Sequence, residues 1–180
     1  MNDKTRLRSE LRRRRKALSP ADRARAERAV LSRLRPLLQR GRRIGVYLAM
    51  GSELDLRGVL ALMQQRGTQA LAPMVPRRGR RLRFAALPIR HGCRDTVSAR
   101  ALDAVLVPLV GFDAHCGRLG QGGGYYDTSF AFRRYTSRPR LIGVAFECQR
   151  LAVVPMAPHD RRLDAVLTEL GWYGRKPVRL

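Results

Sequence analysis

Four glycines fall within five residues in the stretch Arg118-Leu119-Gly120-Gln121-Gly122-Gly123-Gly124-Tyr125-Tyr126-Asp127. A chain without Cβ atoms at those positions can turn several N–H groups inward and form an anion-binding concavity. A helix opening near Gly124 would add its unpaired N–H groups to the same end. Arg118 suits bidentate contact with phosphate oxygens, and Asp127 suits a magnesium ion bridging those oxygens. A ligand-free surface loop has the same glycine content, so the flanks matter. Val105-Leu106-Val107-Pro108 reads as a buried strand. That places the loop beyond a strand end, where open α/β sheets bind ligands. The stretch is not a P-loop, because Gly124 is followed by Tyr125 rather than by Lys and Ser or Thr. Nor is it the dinucleotide fingerprint, which, started at Gly120, needs glycine at position 125.

The elements that must position these residues follow from capping and periodicity. Asn2 or Asp3 can cap a basic first helix over residues 3–18, with Leu7, Leu11 and Leu18 as its thin apolar stripe. Lys4, Arg6, Arg8, Arg12 to Arg15 and Lys16 form the rest of its surface. They are either a solvated basic face or an arm that reaches a triphosphate or nucleic acid. Ser19-Pro20-Ala21-Asp22 starts a second helix, with serine as cap and proline in the first turn. Ala26, Val30, Leu34 and Leu38 follow at four-residue steps; Pro36 kinks or ends this helix, and Gly41 stops it.

Residues 44–50 read as a buried parallel strand. It ends in Gly51-Ser52-Glu53-Leu54-Asp55, before a helix carrying Leu56, Val59, Leu60 and Met63 as far as Gly67. Glu53 and Asp55 thus sit at a strand's carboxyl end, although capping by Ser52 or Asp55 is the plainer role. Residues 69–74 read as the next parallel strand, 76–81 as a basic turn and 82–87 as a short strand. The segment 88–100 gives no clear pattern; His91 and Cys93 lack partner ligands nearby. Residues 101–108 lead toward the glycine loop. Residues 125–135 read as a helix with Phe130 and Tyr135 inward, 140–146 as another strand, and 171–180 as a basic tail. Helices alternating with apolar strands imply one α/β layer structure with a mainly parallel sheet.

A chain of 180 residues, 44% hydrophobic, supports one domain with a full core. It contains no apolar run of about eighteen residues, so no membrane span is expected, and residues 1–6 show no secretory h-region. Cys93, Cys116 and Cys148 are too scattered for a disulfide framework or a zinc site, and a reducing cytoplasm is the expected compartment. The formal charge of +23 would attract nucleic acid or another polyanion. Nearly all of it is arginine, with lysine only at Lys4, Lys16 and Lys176, a balance that a GC-rich genome also produces. Aromatic content of 6% is low for a base-stacking platform.

The pattern Pro108-Leu109-Val110-Gly111-Phe112-Asp113, then Gly117-Arg118-Leu119-Gly120-x-Gly122-x-Gly124-Tyr125-Tyr126-Asp127, resembles the 5-formyltetrahydrofolate cyclo-ligase (5,10-methenyltetrahydrofolate synthetase) family. Lys4-Thr5-Arg6-Leu7-Arg8 matches that family's basic opening helix. Met50-Gly51-Ser52-Glu53 matches its strand-end glutamate, and His159-Asp160 with Asp164-Ala165-Val166 matches its closing segment. The chain lacks the family's Glu-Pro turn in the segment 76–100, which bears on the folate side of the pocket.

The resemblance implies a single-domain, Rossmann-like three-layer sandwich of the sugar-phosphate isomerase/CoA transferase kind; a monomer without membrane contact is expected. It implies ATP-dependent conversion of 5-formyltetrahydrofolate to 5,10-methenyltetrahydrofolate. It assigns the nucleotide to Lys4, Arg8, Arg118, Leu119, Gly120, Gln121, Gly122, Gly123, Gly124, Tyr125 and Tyr126, with Lys4 and Arg118 catalytic. Leu48, Met50, Glu53 and Tyr125 go to the folate, and Asp127 and Asp160 to Mg2+. Asp164 is expected to order backbone at the start of the last strand. A nucleic-acid-binding protein, or an ATP-binding homologue with an altered substrate, are the other readings of this chain.

Overall fold

The computed structural model describes residues 3–89, 95–157 and 160–174. Its first half runs α1 (Asp3–Lys16), α2 (Pro20–Leu34), β1 (Arg43–Gly45), α3 (Arg57–Arg66), β2 (Gln69–Met74), β3 (Arg83–Ala86) and β4 (Thr96–Ser98). There follow β5 (Ala104–Pro108), β6 (Gly111–Phe112), β7 (Arg118–Leu119), α4 (Tyr125–Ser129), β8 (Arg140–Val144), β9 (Ala165–Leu167) and β10 (Trp172–Gly174).

The most apolar segments take the middle of the sheet. Its order is β10-β9-β8-β5-β1-β2-β3-β4. The five inner strands from β9 to β2 run parallel, and β3, β4 and β10 join antiparallel. One face packs Ile44, Leu106, Ile142 and Val144 against Val30 and Leu34 of α2 and Val59 and Met63 of α3. The other packs Val105, Val107 and Val166 against Phe112 and Phe130. There α4, the turn after it and the β6–β7 hairpin replace long helices, so the second outer layer is thin. The fold is a single α/β domain with a mostly parallel sheet, as expected.

Helix starts follow their caps. Ser19 Oγ accepts the Asp22 N–H at 3.1 Å, with Pro20 in the first turn. That helix ends at Leu34, well before Gly41, because Pro36 has no N–H to continue it and the chain tightens into a 3₁₀ turn at Arg35–Leu37. The strand read over 44–50 ends at Gly45. Val46 still donates to the Leu71 carbonyl at 2.8 Å, after which the backbone leaves the sheet. The apolar character of Leu48 and Met50 therefore reports something other than sheet burial. The strand read over 101–108 begins at Ala104, behind a 3₁₀ turn at Ala99–Ala101.

The helix read over 125–135 stops at Ser129 and gives way to a 3₁₀ turn at Ala131–Arg134. Phe130 is fully buried and Tyr135 is 83% exposed. Five residues is about 140° around a helix, so a single helix could not have turned both inward. The segment read as a basic tail contributes β10, paired antiparallel with β9; residues 175–180 lie outside the described residues. So do His91, Cys93 and His159.

Candidate functional site

A cavity of about 830 Å³ opens at the carboxyl ends of β1, β2 and β5, the end at which parallel sheets bind ligands. Every residue that the sequence nominates lines it. Lys4 and Arg8 come from α1; Leu48, Met50 and Glu53 follow β1; Arg118 to Asp127 span β7, the glycine loop and the start of α4; and Asp160 precedes β9. Its volume lies within the range of small-molecule sites.

The polar wall is the glycine loop. It does not follow β5 directly, because the β6–β7 hairpin intervenes. The turn of that hairpin closes around Asp113, whose buried carboxylate accepts N–H groups from His115 at 2.9 Å, Gly117 at 2.8 Å and Val154 at 2.9 Å. Gln149, also buried, donates to the carbonyls of Leu109 and Val110 and accepts the Phe146 N–H. These two side chains aim the hairpin. Beyond it, Gly122 (φ 104°) and Gly124 (φ 66°) take left-handed backbone that other residues reach only with strain, which lets α4 open directly from the loop.

Arg118 is 7% exposed and donates through Nη2 to Asp127 Oδ1 at 2.6 Å. Its guanidinium lies 5.5 Å from the centre of the Tyr126 ring. Its Nε is buried and has no hydrogen-bond partner among the described residues. Lys4 Nζ bonds Asp160 Oδ2 at 2.8 Å, an oxygen that also accepts the Ala157 N–H. Arg8 Nε donates to the Gly120 carbonyl at 2.9 Å, and Arg12 bonds Gln121. Burial pushes the Tyr126 phenol well above its ordinary range, so it stays a neutral donor.

The second wall is apolar. Leu48 is 53% exposed, Met50 78%, Val75 64% and Ile89 39%, and all four line the cavity. Large apolar side chains gathered at the mouth of a cleft mark a binding surface. Beneath them Tyr47 donates to the Leu54 carbonyl at 2.8 Å; burial, then the charge of Glu53, raises its pKa. Glu53 accepts the Met50 N–H at 3.0 Å and the Gln121 amide at 3.2 Å, joining the two walls. Asp55 instead sits one residue before the N-cap Leu56 of α3 and accepts the Arg57 N–H at 2.8 Å.

Helix α1 is anchored across this end of the sheet by Leu11, packed in a cluster with Val110, Leu119 and Val154. Arg15 departs from the reading of a solvated basic face: it is buried and donates to Ser52 Oγ at 3.0 Å, and burial lowers its pKa. Val75, Ile89, Tyr47 and Arg80 also line the cavity and were not evident from sequence. Val75 and Arg80 fall in or beside the basic turn 76–81, where no local pattern distinguishes a cavity wall from a solvated loop.

Asp127 and Asp160 bring hard oxygen donors to the cavity. Asp127 Oδ2 has no partner among the described residues. Among those residues there is no cluster of three or more His, Cys, Asp or Glu side chains. Two carboxylates without a protein cage suit magnesium, which is commonly held by one or two carboxylates together with phosphate oxygens and water.

The family model described as "5-formyltetrahydrofolate cyclo-ligase family" matches residues 1–169. A curated relative, the 5-formyltetrahydrofolate cyclo-ligase of Escherichia coli, is 28% identical over 176 residues, covering 88% of this chain and 96% of that protein. Two solved structures share the fold. A 5,10-methenyltetrahydrofolate synthetase from Mycoplasma pneumoniae superposes with a TM-score of 0.77 at 24% identity, over 93% of this chain and 99% of the other. One from Aquifex aeolicus gives 0.78 at 23% identity, over 95% and 92%.

Proposed function

The chain belongs to the 5-formyltetrahydrofolate cyclo-ligase family, and from that premise we propose how its cavity converts 5-formyltetrahydrofolate to 5,10-methenyltetrahydrofolate with ATP. The observation that carries the proposal is the two-walled cavity. Cations and a glycine loop line one side, exposed apolar side chains line the other, and Glu53 lies between them.

A formamide oxygen is a poor leaving group. In the proposed course it attacks the γ-phosphorus of ATP; the new P–O bond forms as the bond to ADP breaks, and ADP takes the electron pair. The folate N10 lone pair then attacks the activated formyl carbon. The N10–C bond forms, N10 gives its proton to solvent, and the C–O bond breaks with its electron pair leaving on phosphate. Neither step needs a nucleophile from the protein. Its task is alignment and charge stabilisation.

Lys4, Arg8 and Arg118 surround the phosphates, and the glycine loop offers them backbone N–H groups. The Asp127 contact holds Arg118 in one orientation. Asp127 and Asp160 would hold magnesium, which would add positive charge beside the phosphate oxygens. Leu48, Met50 and Tyr125 are assigned to the planar folate and Glu53 to its N10 side. Monomeric state and cytoplasmic placement belong to the same proposal.

The test is direct. Purified protein with 5-formyltetrahydrofolate, ATP and magnesium is expected to develop methenyl-folate absorbance, and Asp127→Ala to abolish turnover. Retained ATP binding with no absorbance change would sink the folate assignment. Salt-sensitive nucleic-acid binding that survives Asp127→Ala, with no turnover by either protein, would favour a nucleic-acid-binding role instead.

A further inference from the structure

Of the arginines in the turn between β2 and β3, only Arg80 lines the cavity. A side chain built at Gly124 would come within 3.3 Å of Arg80 Nη1, and one built at Gly122 within 3.6 Å of the Arg8 guanidinium. The glycine loop is therefore flanked by guanidinium groups from two separate elements. The other three cavity cations are tied back to the protein, Lys4 to Asp160, Arg8 to Gly120 and Arg118 to Asp127. Among the described residues the Arg80 guanidinium has no carboxylate or carbonyl partner, and only its backbone oxygen is engaged.

That backbone is held in place. Ser129 Oγ, at the end of α4, accepts the Leu82 N–H at 2.8 Å and donates to the Arg80 carbonyl at 3.3 Å. The turn is thereby pinned to the helix that opens at Gly124. The same turn follows Val75 of the apolar wall, so Arg80 stands where the nucleotide and folate walls meet. A phosphoryl group passing from one substrate to the other must cross that border.

We infer that Arg80 is a further nucleotide-binding residue, one that contacts the terminal phosphate of the triphosphate. The inference rests on the proposed reading of the cavity. Charge-assisted hydrogen bonds to one phosphate group correspond to about a 10- to 100-fold change in affinity.

The test titrates wild type, Arg80→Ala, Arg80→Lys and Arg78→Ala with a non-hydrolysable ATP analogue and, separately, with ADP, by calorimetry without folate. Arg80→Ala is expected to weaken the triphosphate analogue by about 10- to 100-fold and ADP by less than about 3-fold. Arg80→Lys should recover part of the loss, and Arg78→Ala should bind as wild type, all at unchanged melting temperature. Unchanged analogue affinity in Arg80→Ala would overturn the inference. So would equal losses for ADP and the analogue, or a melting temperature that falls with affinity. If wild type itself binds neither nucleotide, the reading of the cavity falls first and the assignment of Arg80 with it.

Discussion

Along the glycine wall, side chains are tied back into the protein: Lys4 to Asp160, Arg8 to Gly120, Arg118 to Asp127, with Asp113 and Gln149 bracing the hairpin beneath. Along the apolar wall, Leu48, Met50, Val75 and Ile89 stand exposed, and the polar tie is Glu53. The first wall has its geometry before a ligand arrives, which is what charge stabilisation requires. The second gains its burial when a ligand covers it. The difference predicts that mutations on the two walls separate kinetically.

The sharpest break should come from Arg118→Ala. Removing a positioned cation is expected to lower kcat by about 10²- to 10³-fold, while equilibrium folate binding stays within a few-fold of wild type. A loss seen mainly in the KM for folate would erase the distinction between the walls. Next is Asp113→Ala, which leaves three backbone N–H groups without their acceptor. Its unfolding free energy should fall by about 3 kcal/mol, measured by denaturant titration. A change under about 0.5 kcal/mol, the level of an ordinary surface substitution, would mean that the hairpin does not depend on this carboxylate.

Met50→Ala and Val75→Ala should each raise the KM for folate by about 3- to 10-fold through lost apolar contact, with the KM for ATP and the stability unchanged. Steady-state titration of each substrate checks this, and a matching rise for ATP would contradict it.

The smallest effect concerns pH. Unfolded tyrosine titrates near pH 10, and burial raises the folded values for Tyr47 and Tyr126. Above about pH 10 the unfolded chain therefore releases protons that the folded chain keeps. Stability from these two groups is full below that pH and declines above it. Denaturation midpoints on either side of pH 10 should fall as pH rises, less steeply in Tyr126→Phe. Phenolate absorbance showing all five tyrosines ionising together in the folded protein would refute this.

Much of this molecule is legible along the chain. The apolar run Gln69–Met74 forms a strand over just those residues, and the Ser19 cap and the Gly67 stop bound their helices where their residue types place them. The whole set of nominated site residues lines one cavity. These signals are local: a cap, a left-handed glycine or a glycine loop between a cation and an acid acts on backbone a few residues away, so neighbours in sequence suffice to encode it.

Where local reading failed, a distant segment decided the outcome. Leu48 and Met50 looked like buried strand because apolar type does not say whether the covering surface is protein or ligand. Arg15 looked solvated until Ser52 met it, and Arg80 looked like part of a charged turn until Ser129 pinned that turn beside Gly124. From the sequence alone came the chemistry of each segment and its family. Sheet order and packing decided which segments share a cavity, because their contacts join residues far apart in the chain and their energies exist only once the core has closed.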